Sequence, residues 1–352
     1  FLRCFRSSIS QVNALLFLLE CAPFPPLMQQ VVTVKLALAP MEGLIDEHMR
    51  TFLTRDGAFD HCVTEFLRIS DQLLPSRVFH RICPESRNDW KTPSGTPVHL
   101  QLLGSDPELM AQNARRGALL GAPVIDVNFG CPSKTVNHNR GGSVLLQDPE
   151  EIYGILKAMR EAIPAHIPLT AKMRLGYEDK SLALENASAI EAAGASQLCI
   201  HARTKVEGYK PPAHWQWIAK IKEQTSIPLI ANGEIWNLED YKRCQQISGC
   251  DDIMLGRGAV ASPDLALQIK SLAAGNEITI GSWPTRLHDM LWMIQETIDC
   301  GNSKFAAGRI KQWLVYFQKS YPQAVEFFQQ AKRIKTSLQM IDLIEQEITN
   351  TH

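Results

Sequence analysis

From Lys35 to Leu255 the chain repeats one unit, a short aliphatic or β-branched run that ends in a polar or glycine-rich turn and gives way to a segment of helical period. The candidate strands are 35–39, 60–65, 98–102, 124–128, 169–173, 197–201, 228–231 and 252–255. Between them lie helical stretches such as Glu150 to Ala162 and Leu182 to Ala193, the second ending at Gly194 as helices often do. Parallel strands need such crossovers, and eight units is the number that closes a barrel. An open doubly wound sheet is the alternative, but no G-x-G-x-x-G follows the first strand. The sequence therefore predicts an α/β fold, a TIM (β/α)8 barrel followed by a smaller C-terminal all-helical domain.

After Gly275 the strand signals stop, and Pro284 to Ile348 reads as helices broken near Gly301-Asn302, Tyr321-Pro322 and Lys335-Thr336. The expected division is an atypical N-terminal extension over 1–32, a cofactor-binding barrel over 33–280 and a helical domain over 281–352. Residues 1–32 carry Arg3, Arg6 and the apolar run Ala14 to Leu19, which imitate a signal peptide but are too short to span a membrane. They are read as an extension foreign to the fold. Nine cysteines, odd in number, scattered and never in C-x-x-C pairs, predict no metal centre and a reducing, cytoplasmic setting.

A formal net charge of -1 excludes a protein coated in positive charge, so any nucleic-acid contact has to come from a local patch. One candidate stands between Ser303 and Lys335. There Lys304, Arg309, Lys311, Lys319, Lys332, Arg333 and Lys335 face the single acid Glu326, interleaved with Trp313, Tyr316 and Tyr321. On an ideal helix Arg309 and Lys311 lie about 200° apart, so one face cannot carry both.

In a βα barrel the reactive groups sit at the carboxyl ends of the strands. Those ends read Ala39-Pro40-Met41-Glu42-Gly43, Glu65-Phe66-Leu67-Arg68, Gln101, Asn128-Phe129-Gly130-Cys131-Pro132, Lys172, His201-Ala202-Arg203-Thr204, Asn232-Gly233-Glu234 and Gly256-Arg257-Gly258. Gly233 and the Gly256-Arg257-Gly258 turn fall at strands seven and eight, where barrels often cradle a phosphate with backbone N–H groups and a guanidinium. Lys172 can neutralise negative charge on a bound cofactor or a substrate oxygen, or form an ion pair with a neighbouring strand-end carboxylate. His201 can meet a phosphate or serve as a hydrogen-bonded core histidine. Cys131 lies three residues after Asn128 in a Gly-Cys-Pro turn outside any apolar stripe, so it should face the pocket. With a reference pKa near 8.5, its thiol is mostly protonated at neutral pH and suits a general acid.

The run Asn128-Phe129-Gly130-Cys131-Pro132-Ser133-Lys134 resembles the tRNA-dihydrouridine synthases. Ala39-Pro40-Met41, Lys172-Met173-Arg174-Leu175-Gly176, His201-Ala202-Arg203-Thr204, Asn232-Gly233-Glu234 and Gly256-Arg257-Gly258 extend the resemblance from about Leu36 to Lys335. Phe66-Leu67-Arg68, Phe79 to Glu85 and Arg309 to Trp313 are similar to the C-type bacterial subfamily, which acts on uridine 16 of the D-loop. Phe129 replaces a usual small residue and Ala202 a common glycine, and neither change removes a reactive group.

The resemblance implies FMN held by Pro40, Met41, Glu42, Gln101, Lys172, Asn232, Gly233, Glu234, Gly256 and Arg257, with His201 as a further phosphate contact. It also implies tRNA contacts from Arg68, Asn128, Tyr209, Arg309, Lys311, Tyr316 and Lys332. The implied reaction has NADPH as reductant of FMN, hydride from the flavin reaching C6 of uracil, and Cys131 protonating C5. A monomer with no obligate protein partner and no membrane contact is expected. Two other readings use the same residues: an FMN barrel enzyme acting on a free pyrimidine or small enone, and a noncatalytic RNA-binding protein on an inherited barrel.

Overall fold

The computed structural model describes residues 34–351, so the expected extension over 1–32 lies outside the described residues. Nine short strands appear in chain order: β1 Leu36–Leu38, β2 His61–Val63, β3 Leu67–Arg68, β4 Val98–Leu103, β5 Ile125–Phe129, β6 Leu169–Arg174, β7 Gln197–His201, β8 Leu229–Asn232 and β9 Ile253–Leu255. They form one parallel sheet in the order β2-β1-β9-β8-β7-β6-β5-β4-β3, and β2 also pairs with β4, which closes it into a barrel.

β2 and β3 are one stave of that barrel, interrupted. Val63 pairs with His99 whereas Leu67 pairs with Leu102, so four steps along one strand run beside three on the other. The surplus residue makes a bulge, a device that bends a strand and re-aims its side chains. It brings both Glu65 and Phe66 to the mouth of the barrel. With this stave counted once, the barrel has the eight staves that the sequence pattern predicts.

Strand alternation sorts the side chains. Ala37, Ala39, Val63, Cys199, Ile230 and Met254 form the apolar plug inside the barrel. Leu36, Leu38, Val98, Leu100, Leu102, Ile125 and Val127 belong to the larger core shared with the surrounding helices. Local signals start those helices. Asp106 accepts from the Leu109 N–H ahead of Pro107, and Asp148 accepts from the N–H groups of Glu150 and Glu151 ahead of Pro149. These are N-caps followed by proline in the first turn, where its missing N–H costs nothing. The helices expected at 150–162 and 182–193 run over Pro149–Ala162 and Ala183–Ala192.

The C-terminal region consists of helices Trp283–Asp299, Ser303–Phe317, Gln323–Ala331 and Ser337–Thr351, broken where the sequence predicts. Its apolar faces merge with the barrel's core. Trp313 is fully buried, donates its indole N–H to Val260 O at 3.0 Å and meets Phe52 edge-on at 4.8 Å between centroids. Tyr321 is buried as well. Both aromatics are therefore packing residues rather than partners of an exposed basic surface. Arg55 pairs with Asp289 at 2.7 Å and Gln312 donates to Gly43 O at 3.0 Å, so the region is clamped beside the first and last βα units. No helix among the described residues is long and apolar enough to cross a membrane.

A buried ion pair holds the mouth from below. Arg50, on helix Glu47–Thr54, donates to both carboxylate oxygens of Glu85 at 2.7 and 2.8 Å and to Ile45 O at 3.1 Å, with no exposed surface on Arg50. Breaking such a pair leaves an uncompensated charge in the interior. Arg50→Leu should lose about 3–5 kcal/mol in equilibrium denaturation. Arg50→Leu combined with Glu85→Leu should recover much of that loss; a double variant as unstable as the single one would show that the charge imbalance is not the cause.

Candidate active site

Because all strands run one way, their carboxyl ends share one rim, and a cleft of about 1120 Å³ opens there. Cys131, Lys172, Arg174, Gln101, Asn128 and His201 come to it from neighbouring staves although they are distant in sequence. Of the residues predicted to hold a cofactor, Pro40, Met41, Glu42, Gln101, Lys172, His201 and Arg257 line this cleft. Asn232, Gly233, Glu234 and Gly256 line an adjoining hollow of about 80 Å³.

Cys131 begins the turn after β5. Asn128 shapes that turn: its Oδ1 accepts from the N–H groups of Gly130 at 2.9 Å and Cys131 at 2.8 Å. The Cys131 carbonyl accepts from Ser143 Oγ and Asn137 Nδ2, each at 2.8 Å. Arg174 holds the preceding carbonyl, Gly130 O, at 2.8 Å through its Nε. The thiol is partly exposed to the cleft. Burial pushes its pKa above the ordinary value, Glu42 adds to the rise, and the Ser133 N–H with the Arg174 and Arg68 charges oppose it. At neutral pH this thiol carries its proton.

Lys172 donates to Asn232 Oδ1 at 3.1 Å, and Asn232 in turn donates to Met254 O at 2.8 Å. Among the described residues Lys172 has no ion-pair partner, so the carboxylate bridge considered for it is not formed. Burial pulls its ammonium below the ordinary range. His201 is nearly buried, and burial, reinforced by Arg174, Lys172, Arg203 and Arg257, keeps its imidazole neutral well below the ordinary histidine range.

The hollow is shaped by glycines that nothing larger can replace. A Cβ on Gly258 would lie 2.0 Å from Ile235 O, and one on Gly233, whose φ is +119°, would lie 2.8 Å from His201 Cδ2. Glu234 stands in the left-handed region with φ of +59° and is held there by Arg203 and by Trp236, whose indole N–H donates at 3.0 Å. Glu234 is thus spent on the wall of the hollow. Arg257 lies 3.8 Å from Glu234 and over the rings of Tyr209 and Trp236 at 4.6 and 4.9 Å.

The residues predicted to contact tRNA divide into two groups. Arg68, Asn128, Tyr209 and Tyr316 line the cleft. Asn128 is almost buried, with its amide committed to the Cys131 turn and to Gln101. Tyr209 is half exposed and sits on a loop pinned by Arg174 to Gly208 O at 2.9 Å and by Arg203 to Lys210 O at 2.7 Å. Arg309, by contrast, is paired with Asp46 through both of its terminal nitrogens, and Lys311 caps the carbonyl of Ile334. Lys332 is exposed and bonded to Gln329. Arg309 and Lys311 therefore serve helix docking and helix capping in this structure.

A local positive patch, to which the basic stretch contributes Lys319, stands at the cleft. Arg68, Arg81, Lys172, Arg174, Arg257 and Lys319 line it against Glu42 and Glu65. Arg81, Arg174, Trp236 and Lys319 carry no assigned role in the sequence reading, although Arg174 lies inside a quoted motif and Lys319 inside the basic stretch. A further unassigned residue is Asp126, an acid within the apolar run of β5. It lies two residues before Asn128, and that even spacing on a strand was the signal for a shared inward face.

The sequence model described as dihydrouridine synthase matches residues 37–350. A tRNA-dihydrouridine(16) synthase of Aquipseudomonas alcaligenes is 52% identical over 300 residues, covering 85% of this chain and 95% of its own. That of Shewanella oneidensis is 50% identical over 313 residues, covering 89% and 98%. Among solved structures, a 2-naphthoyl-CoA reductase complex superposes with a TM-score of 0.51 at 11% identity, over 69% of this chain and 50% of that one, a likeness of fold alone. The match of the family model along nearly all the described residues, together with relatives at half identity over most of the length, places this chain in the dihydrouridine synthase family.

Proposed function

We propose that this chain reduces a uridine in the D-loop of tRNA, at position 16, to 5,6-dihydrouridine, using FMN and NADPH. One observation carries the reading: a thiol kept protonated by burial stands in a cation-lined barrel mouth, beside a glycine-shaped hollow. The names of the relatives supply the RNA class and the position.

The residues fit a flavin. The hollow's close-approaching backbone at Gly233 and Gly258, with Arg257 and His201 beside it, suits a phosphate that needs N–H groups and a guanidinium. Lys172, a cation without a carboxylate partner, suits the ring of an electron-rich flavin. A flavin held there would supply the hydride chemistry, with NADPH as its reductant.

Everything else falls to the chain. The Cys131 thiol gives its proton to C5, and a placed general acid is worth roughly 10² to 10⁴ in rate. Asn128 and Arg174 hold the turn from which the thiol acts. A base inside a folded tRNA has to leave its stack to reach the cleft, at a cost of a few kcal/mol. Arg68, Arg81 and Lys319 at the mouth can offset that cost by meeting the RNA backbone.

Unmodified tRNA incubated with the protein, FMN and NADPH should gain dihydrouridine at position 16, mapped by position-resolved mass spectrometry. Product at another D-loop position would keep the reaction and overturn the site. No product from a folded, flavin-loaded protein would favour a free pyrimidine or small enone as substrate.

Cys131→Ala should keep normal flavin content and lose at least about 10²-fold in single-turnover rate. In the wild type, the acid form of the thiol is the active one and its pKa is raised. The rate should therefore stay level past about pH 8.5, the ordinary thiol value, and fall only above it. A rate that rises through that range would assign the proton to another group. Lys319→Ala should weaken tRNA binding and make the plot of log Kd against log salt shallower by about 1. An unchanged slope would remove Lys319 from the phosphate contacts.

A further inference from the structure

The barrel carries a chain of polar side chains that ends on the Cys131 turn, and its inner members, Asp126 and Thr170, have no part in the reaction proposed above. We propose that Asp126 is the positioning residue of the proton donor, its carboxylate fixing the Cys131 turn through Gln101 and Asn128. The inference deepens the functional reading above and rests on it for the role of Cys131.

The geometry is a belt across three adjacent staves. Gln101 of β4, Asp126 of β5 and Thr170 of β6 are lateral partners in the parallel register, so their side chains share the barrel's inner face at one level. Thr170 Oγ1 donates to Asp126 Oδ1 at 2.6 Å, and Gln101 Nε2 donates to Asp126 Oδ2 at 2.7 Å. The carboxylate is an acceptor at both oxygens, which decides which way the Gln101 amide points. Its Oε1 then faces outward and accepts from Asn128 Nδ2 at 2.8 Å. This leaves Asn128 Oδ1 to accept from Gly130 and Cys131, at 2.9 and 2.8 Å. Reversing either amide alone would set donor against donor and acceptor against acceptor at the links on its two sides. The polarity imposed at Asp126 thus ends on the backbone N–H of Cys131.

The belt has little contact with water: Gln101 is fully buried, while Asp126, Thr170 and Asn128 are each less than a tenth exposed. An unmatched donor there cannot turn to solvent, which makes the orientation of each amide costly to lose. Thr64 Oγ1, in the bulge of the second stave, accepts from the Gln101 backbone N–H at 3.0 Å and ties a fourth stave to the same belt.

The test compares Asp126→Leu, which removes the acceptor, with Asp126→Asn, which can still offer oxygen to Gln101 and an amide N–H to Thr170. In the full-length, flavin-loaded protein, Asp126→Leu should lower the single-turnover rate about 10²-fold, with KM for tRNA changed less than about threefold, and Asp126→Asn should restore the rate to within about fivefold of wild type. Alkylation of Cys131 as a function of pH, followed on its own peptide by mass spectrometry, gives a readout independent of tRNA. In Asp126→Leu the loosened thiol should titrate lower, toward the ordinary value, and Asp126→Asn should titrate as wild type does.

An Asp126→Leu protein with wild-type rate and wild-type thiol titration overturns the proposal, as does an Asp126→Asn protein as impaired as Asp126→Leu. If Asp126→Leu does not fold, Asn128→Ala cuts the same chain at its last link; an unshifted Cys131 titration there overturns the proposal equally. A wild-type protein that forms no dihydrouridine would sink the functional reading, while the titrations would still decide the positioning role.

Discussion

Parallel pairing carried around the whole sheet, from β1 through β9 and back by β2 to β4, is the constraint on which the rest of the molecule depends. It forces every stave to end on the same rim, and only that brings the turn after β5, the end of β6 and the glycine turns of β8 and β9 into one pocket. Closure also dictates lateral register. Asp126 faces Gln101 on one side and Thr170 on the other because each is the Cα partner of its neighbour, not because any local motif joins them. The bulge between Val63 and Leu67 departs from the regular pairing of the staves, and its residues Glu65 and Phe66 reach the mouth. Barrels often place such irregularities next to their sites.

The charge balance of the chain hides a strong local asymmetry. A net charge of -1 coexists with a cleft lined by Arg68, Arg81, Lys172, Arg174, Arg257 and Lys319 against two carboxylates. The arginines divide by depth. Buried Arg174 spends its donors on backbone carbonyls and buried Arg203 divides its own between Lys210 O and the Glu234 carboxylate, so both hold loops in place, while the partly exposed Arg68 and Arg257 and the exposed Lys319 keep charge at the mouth. Burying a charge costs less the more of its donors are hydrogen-bonded, whereas charges at the rim remain hydrated and can meet a phosphate. The helical region takes part in the same economy of contacts: Arg309 docks on Asp46 and Trp313 on Val260, and the region sets Lys319 and Tyr316 at the cleft.

Much of the fold was legible because its signals are local. Aspartates before prolines start helices whatever lies around them, and the recurrence of short apolar runs announces strands without any knowledge of their neighbours. The strand-end residues of the site were legible for a related reason: a barrel sends every strand end to one rim, so an ordered list of strand ends is already a list of pocket residues. The basic stretch between Ser303 and Lys335 was legible as charge but not as geometry. Charge along a sequence does not say which cations meet an internal acid, and Arg309 meets Asp46 across the whole length of the barrel sequence.

By itself the sequence determined the number and order of the βα units, the onset of the C-terminal helices, the family resemblance and the presence of a thiol at the rim. All of these depend on residues close together in the chain. Only the tertiary structure decided that Asn128 turns its amide inward to the Cys131 loop, that Lys172 goes without a carboxylate partner, that Trp313 is core, and that Asp126 stands between Gln101 and Thr170. The physical reason is that burial, hydrogen-bond direction and ion pairing are set by three-dimensional neighbours. In a closed parallel barrel those neighbours come from different strands, and the pairing register alone places them side by side.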